Sequence, residues 1–506
     1  MAERQSGILL HPTSLPGPHG IGDLGPEAVA WLDWLEASGA RLWQVLPLGP
    51  TGYADSPYQS FSAFAGNHLL ISLQRLVQEG LLDEVDFQSM PSFPSDRVDY
   101  GEVIPFRDGL LRLAASRFGG GAAAHLKPHL EVFASANAGW LDEYALFMAL
   151  KAEHGGAPWT TWEAPLRGRK PAALEAARAR LAEAVVDHRF RQFLFFRQWA
   201  ALREEARARG IALVGDAPIF VAHDSADVWS QPGLFQLNDS GNPTAVAGVP
   251  PDYFSPTGQL WGNPLYRWDE MHRTGYEWWI RRFRLVLGLV DYVRLDHFRG
   301  FEAYWEVPGG APTAEEGTWV HGPGADFLES VRSALGGLPI IAEDLGEITP
   351  PVIELRDRFG LPGMKVLQFA FEGGPSHDFL PHNYPRHCVV YTGTHDNDTA
   401  LGWYRSTGEE HRDFYRRYLA ADGSEVSWDL IRAAWASVAE WAVVPLQDIL
   451  SLGEEARMNF PSRTEGNWAW RCPPGALTPA LAARLRELTF LYGRLADEPA
   501  PAEPGA

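Results

Sequence analysis

The chain has 506 residues and a formal net charge of -21, from 43 lysines and arginines against 64 aspartates and glutamates. Nucleic acids and anionic membranes demand clustered positive charge, so this balance argues against both, whereas an uncharged polymer such as a glucan is compatible with it. The length allows roughly two to four average domains or one large barrel with insertions. Two cysteines, Cys388 and Cys472, do not make a disulfide framework. Residues 1–7 hold no apolar signal core and no run is long enough to span a bilayer, so a soluble cytoplasmic protein is expected. The 20 tryptophans are well above ordinary usage, and about a quarter are assigned to ligand, the rest to core.

In chain order, Ile8-Leu9-Leu10-His11 predicts a first strand. Pro26 opens a helix in which Ala28, Trp31, Leu32 and Leu35 recur at helical spacing up to a stop at Gly39. Gly20, Gly22 and Gly25 fit G-x-G-x-x-G. The next strand, residues 42–48, ends without the acidic residue that would hold a ribose, so these glycines are read as turns. Tyr53-Ala54-Asp55-Ser56-Pro57-Tyr58-Gln59-Ser60 is polar, aromatic and stiffened by proline, either a sugar-binding loop or a surface turn.

The next barrel-type strand is residues 212–216, ending in Asp216. The gap before it is far longer than a βα connection needs, which predicts a mostly helical inserted subdomain over residues 50–185. Phe190, Phe193, Leu194, Trp199 and Leu202 form a core stripe on the closing helix. The Ala/Arg-rich part around 170–185 carries mixed charge and reads as an exposed helix. A second insertion, residues 220–272, reads as a long functional loop rich in Pro, Gly and aromatics. In it, Trp229 and Trp261 are core anchors or sugar platforms. Tyr253 and Phe254 follow Pro250 and Pro251, which would hold them in a stiff turn, projecting over a cleft or packing the loop onto the barrel.

Leu289, Val290, Tyr292, Val293 and Leu295 then read as a buried strand reaching Asp296. Arg294 stands two residues before Asp296, on the same face of a strand. A carboxylate beside a guanidinium stays ionised, as a carboxylate nucleophile must, although an isolated R-x-D is most often a structural ion pair. Pro339-Ile340-Ile341-Ala342-Glu343 and the stretch 387–396, ending in His395-Asp396, are likewise apolar runs leading to carboxylates. Thr349 and Pro350 cap and open a helix. Residues 364–369, 389–392 and 443–446 complete eight strand-like segments alternating with helices. The expectation is one (β/α)8 TIM barrel over residues 1–496, with 497–506 as a disordered tail. Strand C-termini of such a barrel converge on one face, where three carboxylates suit an oxocarbenium-like transition state.

These motifs resemble those of the 4-α-glucanotransferases (amylomaltases, disproportionating enzymes). The match runs in order from His11-Pro12-Thr13-Ser14-Leu15-Pro16-Gly17 to Glu465-Gly466-Asn467-Trp468, nearly the whole chain. The resemblance implies Asp296 as nucleophile, Glu343 as acid/base and Asp396 as transition-state stabiliser. It implies substrate contacts from Tyr58, Asp216, Arg294, His395 and Asn467, and Trp261, Tyr253 and Phe254 join them as the aromatic lining of the cleft. The expected substrates are maltooligosaccharides and α-1,4-glucans, by a retaining mechanism. No organic cofactor is expected. No metal is expected either, since neighbours in the extended run His395-Asp396-Asn397-Asp398 face opposite sides. The competing readings are an α-glucan hydrolase with the same carboxylates and a glucan-binding protein with a dead barrel, which the intact carboxylates oppose.

Overall fold

Apolar runs buried on both faces and separated by helices pair as parallel strands. The computed structural model, which describes residues 4–251, 255–461 and 463–496, has twelve strands among those residues. In chain order they are β1 (Gln5–Leu9), β2 (Leu42–Gln44), β3 (Ala212–Pro218), β4 (Ala245–Val249), β5 (Gln259–Pro264), β6 (Tyr292–Asp296), β7 (Ala303–Pro308), β8 (Thr318–His321), β9 (Ile340–Ala342), β10 (Gly363–Val366), β11 (Cys388–Tyr391) and β12 (Trp441–Pro445). Eight of them lie side by side in the order β10-β11-β12-β1-β2-β3-β6-β9, every pairing parallel. The sheet's two edges meet where the Ala342 N–H donates to the Pro362 carbonyl at 2.9 Å. The result is the expected (β/α)8 barrel, and all eight expected strands are in it. At one point the strands approach so closely that only glycine fits: a Cβ on Gly7 would lie 2.5 Å from the Leu42 Cβ.

Three element boundaries differ from expectation. Leu289 ends the helix Glu277–Leu289 instead of opening β6. The second strand stops at Gln44, short of the proline at 47, which has no N–H to give a ladder. The sixth strand ends at Val366, and Leu367–Phe371 wind into a 3-10 helix.

Between β2 and β3 the chain forms the helices Leu73–Gln78, Tyr100–Gly119, Lys127–Glu153 and Pro171–Arg180, then returns along Ala182–Ala208. Phe190, Phe193, Leu194, Trp199 and Leu202 of that last helix are buried, and the Trp199 indole donates to the Leu289 carbonyl at 2.9 Å. Residues 220–272 are not the irregular loop the sequence suggested. They contain a short helix, Ala226–Ser230, and the strands β4 and β5, which join β7 and β8 in an antiparallel sheet ordered β5-β4-β7-β8. Trp229 is a core anchor: fully buried against Phe147 and Trp162, it donates to the Leu166 carbonyl at 3.2 Å. Eight tryptophans, Trp31, Trp43, Trp159, Trp162, Trp199, Trp229, Trp279 and Trp435, are less than 2% exposed, so much of the unusual tryptophan content is scaffold.

Cys388 and Cys472 are buried free thiols. Thr349 occupies the N-cap of Pro350–Arg358 without a side-chain cap bond. No described helix is long and apolar enough to cross a membrane. Tyr253, Phe254 and the tail from 497 lie outside the described residues.

Candidate active site

Strand register sets the level of each side chain at the barrel mouth. Asp216 on β3 is opposite Arg294 on β6, and Leu295 is opposite Ala342 on β9. One step further, Asp296 and Glu343 stand at the same level on adjacent strand ends, and the Glu343 N–H continues the ladder to the Leu295 carbonyl at 3.2 Å. Neighbouring strands are about 4.8 Å apart, close to the carboxyl separation of about 5–5.5 Å that retaining glycosidases use.

Arg294 is the hub. Its Nη1 donates to Asp216 Oδ2 at 2.7 Å and its Nη2 lies 2.8 Å from Asp296 Oδ1. The Tyr58 hydroxyl donates to the same Asp216 oxygen at 2.9 Å. Burial favours a neutral Arg294, yet the carboxylates of Asp216 and Asp296 hold its charge firmly in place. Burial also lifts Asp216 above its ordinary range, and Arg294 opposes that rise. Burial, with Asp216 next, keeps Tyr58 a neutral phenol. The Asp296 carboxylate, 28% exposed, is the open member of this cluster, while the Asp216 side chain is fully buried.

Glu343 sits in a different environment. Both its oxygens accept backbone N–H groups, Oε2 from His297 at 2.7 Å and Oε1 from Leu345 at 2.9 Å. The His297 donor is aimed by a left-handed backbone, φ 54°, at the residue directly after Asp296. Burial pushes the Glu343 carboxyl up to about 8; Arg294 and the two N–H bonds pull it down, and Asp296 adds to the rise. One carboxyl is thus paired with a guanidinium and its neighbour is held protonated near neutrality. This is the split in environment that separates a nucleophile from a general acid.

Asp396 follows β11 on a loop. Its Oδ1 accepts from the Asn459 amide at 2.6 Å, and its own carbonyl accepts from Arg457 Nη2 at 2.7 Å. His395 is buried, stacks on Tyr58 with ring centroids 5.0 Å apart, and lies 3.4 Å from Asp396 Oδ2. Beneath the loop, buried Asp448 accepts from Thr392 Oγ1 at 2.5 Å and from the Ala400 N–H at 2.7 Å. Trp261 of β5 meets the His297 ring edge-on at 4.8 Å, so the inserted sheet reaches the strand end that carries Asp296. Asn467 is placed differently from expectation. Its Oδ1 accepts from the Phe460 N–H and its Nδ2 donates to the Arg463 carbonyl, both at 2.8 Å. In this arrangement it ties Phe460 and Arg463 together. Its neighbour Trp468 turns its ring toward Tyr58 and His395. The run from His395 to Asp398 is a turn and not the extended segment expected: His395 and Asp396 approach each other, while Asp398 Oδ1 accepts from the Thr399 N–H at 2.7 Å. Among the described residues no three His, Cys, Asp or Glu side chains cluster closely enough to hold a metal ion.

A family model described as 4-alpha-glucanotransferase matches residues 10–478. The chain belongs to the 4-alpha-glucanotransferase family. Its members are retaining transglycosylases of α-glucans. A 4-alpha-glucanotransferase from Thermus thermophilus is 55% identical over 500 residues, 97% of this chain and 99% of the relative. One from Synechocystis is 49% identical over 496 residues, 97% of this chain and 98% of the relative. The solved amylomaltase from Streptococcus agalactiae in complex with acarbose aligns with a TM-score of 0.94 at 38% identity, covering 98% of this chain and 100% of that one.

Asn459, Arg457, Trp468 and the His297 N–H also shape the candidate site, and no sequence motif marks them for it. Arg457 and Asn459 stand some sixty residues from Asp396, so no local spacing announces the contact; the only signal is a polar pair, Arg457-Met458-Asn459, within an otherwise ordinary loop. Asn459→Ala is expected to lower kcat on maltotriose by about 10- to 100-fold with KM little changed, because a modest misplacement of Asp396 costs the reaction far more than it costs binding. Steady-state kinetics checks this, and a rise in KM at constant kcat would make Asn459 a binding group instead.

Proposed function

We propose that Asp296 attacks the anomeric carbon of a bound 1,4-α-glucan while Glu343 protonates the departing glycosidic oxygen. Asp396 stabilises the developing oxocarbenium ion. The glucosyl ester on Asp296 is then taken up by the 4-hydroxyl of another glucan or of glucose, with Glu343 removing the hydroxyl proton. The observation that carries this reading is the pairing of Asp296 and Glu343 at one level of adjacent strands, in opposite electrostatic environments. Tyr58, Arg294 and His395 line the pocket for the reacting sugar with the buried Asp216 beneath them, Trp261 offers it a ring, and Asn467 acts through the residues it ties together. Tyr253 and Phe254, next to Pro251, belong to the acceptor path in this reading. Neither metal nor organic cofactor enters any step. A cytoplasmic location accords with the two free thiols, and fractionation of the native cells tests it.

Incubation with maltotriose alone tests the activity. Transfer yields glucose and longer chains at a constant number of reducing ends; a steady rise in reducing ends would mean hydrolysis.

The pH profile follows from Glu343. Its proton is needed for the first step, and burial holds that proton up to about 8. The alkaline limb of kcat/KM, which reports the free enzyme, is therefore expected near pH 8, with activity lost as pH rises through it. Rates on maltotriose at limiting concentration between pH 5 and 10 give the limb directly, and a fall centred near the ordinary range of an exposed glutamate would remove Glu343 from the acid role.

A further inference from the structure

We infer that the Trp319 indole is a stacking platform for an α-glucan chain outside the reacting centre, a remote subsite engaged only by long substrates. This rests on the transfer activity and goes beyond it. Trp319 lies on β8, the last strand of the inserted sheet, and is 38% exposed. In a chain that buries eight other tryptophans almost completely, a ring left open to this degree is not there for core packing.

The ring is also fixed in place. The Arg299 guanidinium lies over it, 3.7 Å from the ring centroid, and Trp305, its partner in register on β7, meets it edge-on at 5.2 Å. Arg299 is itself buried, donating to the Glu347 carbonyl at 2.6 Å and to the Ala303 carbonyl at 3.4 Å. A buried cation, itself tied to two carbonyls, holds an exposed ring still. Such a ring loses little freedom when a ligand settles on it. Its anchors come from both catalytic loops: Arg299 follows Asp296 by three residues and Glu347 follows Glu343 by four.

The ligand chemistry is that of a neutral sugar. The C–H face of a pyranose ring packs on an aromatic face, and the hydroxyls at its edge find His321, exposed two residues along β8 on the same face. An anion is disfavoured, because Arg299 is already engaged and Glu302 and Glu306 flank the strand. A protein partner is disfavoured, because the exposed β8 positions beside the ring are polar and do not extend it into a contiguous apolar patch.

The test compares Trp319→Ala, Trp319→Tyr and the wild-type enzyme on maltotriose and on long-chain amylose. Wild-type disproportionation of maltotriose checks the activity itself, independently of the subsite. For Trp319→Ala the KM for amylose is expected to rise about 3- to 10-fold, the scale of one aromatic contact. Its kcat and KM on maltotriose stay within about twofold, as for other surface substitutions. Trp319→Tyr, which keeps a ring over Arg299, is expected to restore most of the amylose affinity. An unchanged amylose KM in Trp319→Ala overturns the inference. So does a parallel loss on both substrates, or a tyrosine variant no better than alanine.

Discussion

Asp296→Asn is expected to lower turnover of maltotriose by about 10⁴-fold or more, the scale seen when a covalent nucleophile is removed. An amide does not form the glycosyl ester, and the site loses the negative charge that faces the developing cation. The fold should survive, because Arg294 keeps its 2.7 Å contact to Asp216 and Asp296 is the most open member of the cluster. Single-turnover assays and a melting curve on the same preparation check both halves. Near-normal turnover in a folded variant would move the nucleophile elsewhere.

Glu343→Gln should cost about 10²–10⁴-fold on maltotriose, the usual worth of general acid–base catalysis. The loss depends on the leaving group. With a glucosyl donor whose leaving group needs no proton, formation of the glycosyl-enzyme should be largely restored and the alkaline limb near pH 8 should vanish. Both effects follow from removing the one proton that burial holds in place. If the limb persists with such a donor, the proton comes from another group. Glutamine also brings an N–H₂ where the His297 or Leu345 N–H now donates, so part of the loss will be positional. The dependence on leaving group separates the two, since misplacement alone would slow all donors alike.

The barrel was legible because its signal is local. Each strand is a short apolar run buried on both faces, and three of them lead to Asp296, Glu343 and, through a short loop, Asp396. The inserted sheet was not legible. β8 has no buried face in its sequence pattern, with Thr318, Trp319 and His321 all exposed. β4 meets β7 only after β5, two helices and the barrel strand β6 have intervened in the chain, and the pairing of β4 with β5 shifts register between Val246 and Gly248. The hold of Asn459 on Asp396 is of the same kind, a contact between distant loops. Tryptophans posed the opposite difficulty: Trp229 and Trp261 look alike in sequence, and only packing sends one to the core and the other to the mouth of the barrel.

The protonation of Glu343 has a thermodynamic side. In the unfolded chain this carboxyl releases its proton near its ordinary value of 4.5, whereas the native protein keeps it to about 8. Between those values the native state binds more protons than the unfolded one, so stability declines as pH rises from about 4.5 to about 8 and then levels off. That side chain therefore works against the native state as pH rises, within the narrow margin by which proteins stay folded. The proton that makes Glu343 an acid is thus also a stored instability, set in the wall of the barrel beside the group it serves.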